Sequence, residues 1–167
     1  MPPPDQRRNT PLDKNAVGVS PADKADLPRA PARKLAVLAC MDARLDPAKV
    51  LGLDEGDAHV IRNAGGVVSD DALRSLAISQ NLLGTEGIVL VHHTDCGMLT
   101  FTDDEFAAKL EAETGQRPDW PVHTFDDLET NVRDSIDKIR NSPFVPRTDS
   151  IRGFVNEVET GRLREVT

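Results

Sequence analysis

Two cysteines in 167 residues are too few for the disulfide framework that staples small secreted domains. The chain therefore reads as one from a reducing compartment, where thiols are free to act as ligands. Long apolar runs are missing too: nothing approaches the roughly 18 consecutive apolar residues of a membrane span, and the first 20 residues lack the apolar block of a signal peptide. A cytoplasmic protein with no membrane partner is expected. Basic clusters are also absent. With 20 Lys and Arg against 28 Asp and Glu, a net charge of -8 and a pI near 4.9, the chain offers no concentrated cationic field for phosphates, which excludes nucleic acid as a partner. Internal repeats are not found.

What remains suits one domain, since a 38% hydrophobic fraction can bury a core if the apolar residues are grouped. They are not grouped at the start: seven of the 12 prolines fall in residues 1–31, among Asp, Lys and Arg. Residues 1–32 are expected to be a proline-rich arm, either a mobile tail or a segment that packs on a partner subunit. Residues 33–167 are expected to form the domain proper.

Within it, "KLAVLA" (34–39) reads as a strand buried on both faces. Asp46 before Pro47 marks a helix start over "DPAKVLGL" (46–53), and a strand is expected at 58–62 before the glycine pair of "NAGG". Residues 69–84 have helical apolar spacing, an acidic first turn and Gly84 as a stop. "GIVLVHH" (87–93) is a second apolar strand. Strand, helix, strand implies a parallel sheet with right-handed crossovers. Residues 102–115 and 124–141 read as further helices, and 151–166, with Thr160-Gly161 between two apolar runs, as a closing hairpin. The expected class is α/β: a mainly parallel central sheet flanked by helices, with a C-terminal hairpin.

Cys40 follows the first apolar strand and Cys96 follows the second, in "HHTDCGM" (92–98). In a parallel sheet the carboxyl ends of the strands share one edge, where ligand sites of open α/β sheets form, so the two thiols can converge across 56 positions. A histidine three positions before Cys96 completes a two-thiolate, one-imidazole set of the catalytic zinc type, with a fourth position open. His92 and His93 compete for that place, because adjacent strand residues point to opposite faces. A disulfide or two buried thiols would be the bland alternative, but neither needs Asp42 and Arg44 nearby, whereas a zinc site uses an outer shell. His59 and His123 receive no role.

"Cys40-Met41-Asp42-Ala43-Arg44" with "His93-Thr94-Asp95-Cys96-Gly97" resembles the C-x-D-x-R and H-x-x-C-G signatures of the β-class carbonic anhydrases, and "Arg62-Asn63-Ala64-Gly65-Gly66" is similar to that family's R-N-A-G segment. The resemblance covers about residues 33–166 and is closest in type to compact actinobacterial members. It implies Zn2+ held by Cys40, His93 and Cys96, with Asp42 and Arg44 as the catalytic dyad. Zinc-activated water would hydrate CO2 to bicarbonate, and alkaline pH would be favoured because two thiolates load the metal with charge. In some family members the aspartate itself closes the fourth zinc position, and residues 42 and 44 permit both states. Gly97, Asn63 and Gly65 are implied at the substrate, and a homodimer or higher assembly is implied with the cleft between subunits.

Two departures bear on the substrate pocket. Plant-type members carry a glutamine where this chain has Pro31, and residue 92, often glycine, is histidine. A hydrolase of carbonyl sulfide or carbon disulfide on the same scaffold is the nearest rival. A non-catalytic zinc or redox module is the rival of another class, and it leaves Asp42 and Arg44 without a purpose.

Overall fold

The structure, a computed structural model, describes residues 22–167. Ala36, Val37, Leu38 and Ala39 have no exposed surface, so the strand they form, β1 (Leu35–Cys40), needs neighbours on both edges and cover on both faces. It pairs in parallel with β2 (Ala58–Asn63) and with β3 (Gly87–His93). β3 pairs in parallel with β4 (Ile151–Asn156), and β5 (Leu163–Val166) closes the sheet antiparallel to β4, giving the order β2-β1-β3-β4-β5. This is the expected α/β sheet with its closing hairpin, and Gly161 at φ 71° makes the turn.

The helices start and stop where side chains satisfy their free backbone groups. α1 (Pro47–Leu51) is capped by Asp46 and ended by left-handed Gly52, and α2 (Asp70–Leu83) is capped by Ser69 and ended by left-handed Gly84. Thr102 and Glu105 form a reciprocal capping box on α3 (Asp103–Thr114). The helix expected over 124–141 is shorter. α4 runs Leu128–Arg140, because Asp127 accepts from Thr130 N at 2.7 Å and so serves as its cap. Residues 123 and 124 are used elsewhere: both backbone N–H groups bind the Asp103 carboxylate, fastening this loop to the start of α3.

Each sheet face has its own core. Leu38, Ile88 and Leu90 pack against Leu76 of α2 and Ile139 of α4. Val37, Ala39 and Val91 pack with Leu45, Met98 and the two cysteines. α4 lies directly on β4 at Gly153, where an added Cβ would come within 2.2 Å of Val132.

The described part of the expected arm is tied to the β2 side. Ala32 N donates to Gly56 O at 2.8 Å, and His59 Nε2 lies 3.3 Å from Arg29 O. Residues 1–21 of that arm lie outside the described residues.

Candidate metal centre

Cys40 ends β1 and His93 ends the neighbouring β3, so the parallel register alone brings them to one edge. A turn through Thr94 and Asp95 then returns Cys96 to the same place, just before a short 3-10 turn at Gly97–Leu99. The two Sγ atoms and the imidazole nitrogen lie within 4.8 Å of one another, and all three residues are buried. Neither cysteine is in a disulfide.

The tautomer of His93 follows from its partner. Nδ1 lies 2.8 Å from Thr94 O, a carbonyl that can only accept, so the proton sits on Nδ1 and the lone pair of Nε2 is left facing the thiols. Nε2 is buried and has no hydrogen-bond partner in the protein. A buried lone pair beside two sulfurs fits a borderline-soft cation, and the carbonyl on the far nitrogen is the outer-shell contact that metal-binding histidines use. The three groups also bias one another's titration. A hydrogen bond from Cys96 lowers the Cys40 thiol, and the same contact raises Cys96. Burial opposes charge on His93, but its contacts with Cys40 and Thr94 O raise it.

His92 points the other way. Its Nε2 lies 2.8 Å from Asn131 Oδ1 on α4, and burial keeps the ring neutral. Its Nδ1 also lacks a partner, but among the described residues it belongs to no cluster of metal-ligating groups.

Asp42 and Arg44 stand in the loop after β1. Arg44 Nε donates to Asp42 Oδ1 at 3.0 Å and Nη2 to Oδ2 at 2.8 Å, while Arg44 N donates to Oδ1 at 2.8 Å. Those bonds, the side-chain ones first, hold the Asp42 carboxyl well below the usual carboxylate range. Oδ2 lies 3.6 Å from His93 Nε2, at the edge of the donor cluster. Arg62 of β2 fixes the loop from beneath: Nε donates to Cys40 O at 3.0 Å, and Nη2 donates to Asp42 O and Leu45 O, each at 2.8 Å. Its position in "RNAGG" was readable, but its grip on the loop was not.

In front of the cluster lies a cleft of about 500 Å³, lined by Gly65 and Gly97 and walled by Met98, Phe101, Phe106, Trp120 and Val122. An added Cβ at Gly97 would meet no protein atom, so packing does not demand glycine there. Gly65, at φ 82°, and Gly66, at φ 66°, need glycine for their backbone, and a Cβ on Gly66 would come within 2.8 Å of Cys40 N. Asn63 sits opposite Cys40 in the sheet and donates from Nδ2 to Val67 O at 2.8 Å. The aromatic wall comes from Phe101, Phe106 and Trp120, in a stretch where the sequence had suggested only the helix at 102–115.

A buried two-sulfur, one-nitrogen donor set at the carboxyl edge of a parallel sheet, with an ionised aspartate beside it and an apolar cleft in front, defines a metal-dependent enzyme of the open α/β class. The carbonic anhydrase family matches residues 35–120. Over 153 residues the chain is 55% identical to beta-carbonic anhydrase 1 of Mycobacterium tuberculosis, covering 92% of this chain and 94% of that one. A carbon disulfide hydrolase of Acidithiobacillus thiooxidans is 38% identical over 152 residues, covering 79% and 76%. The crystal structure of a carbonic anhydrase from Streptococcus mutans matches with a TM-score of 0.81 at 42% identity, covering 98% of this chain and 95% of that one. The chain belongs to the β-carbonic anhydrase family.

Proposed function

We propose that the chain is a zinc-dependent carbonic anhydrase that interconverts CO2 and water with bicarbonate and a proton. The observation that carries this reading is the convergence of Cys40, His93 and Cys96 on a point that Asp42 also borders. Zinc suits two thiolates and an imidazole, and when bound it supplies a Lewis acid that brings the pKa of a ligated water toward neutrality. Cys40 Sγ, Cys96 Sγ and His93 Nε2 are the proposed ligands, with Thr94 O fixing the ring. Asp42, ionised and oriented by Arg44, accepts the hydrogen of the attacking oxygen at Oδ2 and so aims its lone pair at the substrate. The apolar wall suits a linear, uncharged substrate. Gly97 leaves it room, Gly65 makes the left-handed turn that lines the cleft, and Asn63 steadies the loop through Val67 O. Two thiolates donate more charge than three imidazoles would, so turnover should rise toward alkaline pH.

In this reading residues 33–167 are the catalytic domain and residues 1–32 a proline-rich arm, whose described part is bonded to this chain's own β2 side. Met41 is 64% exposed and Trp120 53% exposed at the cleft, and Val60, 45% exposed, lies on the open edge strand β2; a homodimer or larger assembly would cover them. Among the described residues no helix is long and apolar enough to cross a membrane, in keeping with the cytoplasmic site proposed.

Carbon disulfide or carbonyl sulfide hydrolysis is the second reading, favoured by the 38% identical hydrolase and by a wall that would accept either molecule. Stopped-flow CO2 hydration on zinc-loaded protein at about pH 7 and about pH 9, beside sulfide release from carbon disulfide, separates the two. CO2 hydration that strengthens at the higher pH is expected. Sulfide release without CO2 hydration would overturn the proposal.

A further inference from the structure

The proposed ligands and the Asp42–Arg44 pair leave Asp95 unexplained. It lies in the turn between His93 and Cys96 with φ 55°, a left-handed conformation that Asp adopts more readily than most non-glycine residues. In that conformation both its side chain and its carbonyl reach the same guanidinium. Arg44 Nη1 donates to Asp95 Oδ2 at 2.8 Å and Nη2 donates to Asp95 O at 3.0 Å. Asp42 occupies the other edge of that guanidinium, through Nε and Nη2. Arg44 is therefore a bridge between the loop after β1 and the turn after β3.

The bridge matters because Asp42 and Arg44 are two positions apart in one loop and would move together. Arg44 is 48% exposed and Asp95 72% exposed, so a single ion pair across the two segments would be a modest tie. It is the side-chain and carbonyl contacts of Asp95 with Arg44 together that make the link. Asp95 attaches the Asp42–Arg44 pair to the segment that carries His93 and Cys96. Asp42 Oδ2 is already 3.6 Å from His93 Nε2, so a small displacement would carry it in among the donor atoms.

We infer that Asp95 is a positioning residue: by gripping Arg44 from the His93–Cys96 turn, it keeps the Asp42 carboxylate paired beside the metal centre and out of the donor cluster. The inference rests on the functional reading above and deepens it.

Two variants test it without disturbing the turn. Asp95→Gly keeps the left-handed backbone and removes the side chain, while Asp95→Asn keeps both the backbone tolerance and a side-chain oxygen to accept from Arg44. Zinc content and Tm should match wild type in both. In the glycine variant kcat should fall on the order of tenfold, with KM little changed, the expected result of a misplaced catalytic group. The asparagine variant should recover most of that loss. A second readout is azide binding to the cobalt-substituted protein, followed by visible absorption. If Asp42 enters the donor cluster, apparent azide affinity in the glycine variant weakens on the order of tenfold, in proportion to the open fraction. A glycine variant equal to wild type in kcat and azide affinity overturns the inference and leaves the anhydrase reading standing. A wild-type protein that neither hydrates CO2 nor binds azide in its cobalt form overturns the reading, and the inference with it.

Discussion

His92 and His93 are adjacent on β3, equally buried, and each has one ring nitrogen bonded and the other without a partner. One step along the strand puts them on opposite faces, and their surroundings differ completely. The free nitrogen of His93 meets two sulfurs and borders a carboxylate, whereas His92 is held by an asparagine of α4 beside the ring of Phe125. A lone pair inside a protein is thus not a site until other donors share its space. The pleat of a strand decides which of two identical side chains joins the donor cluster.

Exchanging these environments by mutation should give effects of very different size. His93→Ala and Cys40→Ser each remove a proposed ligand, so zinc stoichiometry should collapse and CO2 hydration should fall by on the order of a thousandfold or more. Asp42→Asn leaves the ligands in place and removes the proton acceptor. Its kcat/KM should fall by on the order of a hundredfold with zinc retained, measured by stopped flow. Unchanged turnover in that variant would refute the part assigned to the dyad.

On the His92 side the losses should be of stability alone. Gly153→Ala drives a Cβ to 2.2 Å from Val132 on the face where α4 packs, costing about 1–3 kcal/mol in urea unfolding while zinc stoichiometry holds. Asn131→Ala strips the buried His92 ring of its partner and should cost about 1–2 kcal/mol, again with metal retained. Loss of zinc from the Asn131 variant would show that the two histidines are not independent.

Much of this division was legible in the chain. Two apolar strands each leading into a cysteine, and helix-end residues such as Asp46 and Gly84, place the sheet, the helices and the shared edge. The choice between the histidines came from the motif, since strand alternation says only that they differ. Longer-range contacts were hidden. Nothing local tells that Asp103 would take the backbone of 123 and 124 and so delay α4 to Leu128, or that Trp120 and Val122 would swing over the cleft. Nor does local sequence reveal that Arg62 would hold three carbonyls of the Cys40 loop. Ser79 reads as a polar position on α2, yet it is buried because His59 and Thr85 both reach its hydroxyl. Such contacts join residues far apart in sequence through geometry that appears only on folding.

The most direct test of the metal centre is X-ray absorption at the zinc edge on the zinc-loaded protein, with His92→Ala and His93→Ala alongside. Wild type should give two sulfurs at about 2.3 Å and an imidazole nitrogen at about 2.0 Å, a signature kept in the His92 variant and lost in the His93 variant. A shell without sulfur, or an imidazole signal that disappears with His92 and survives loss of His93, would contradict it.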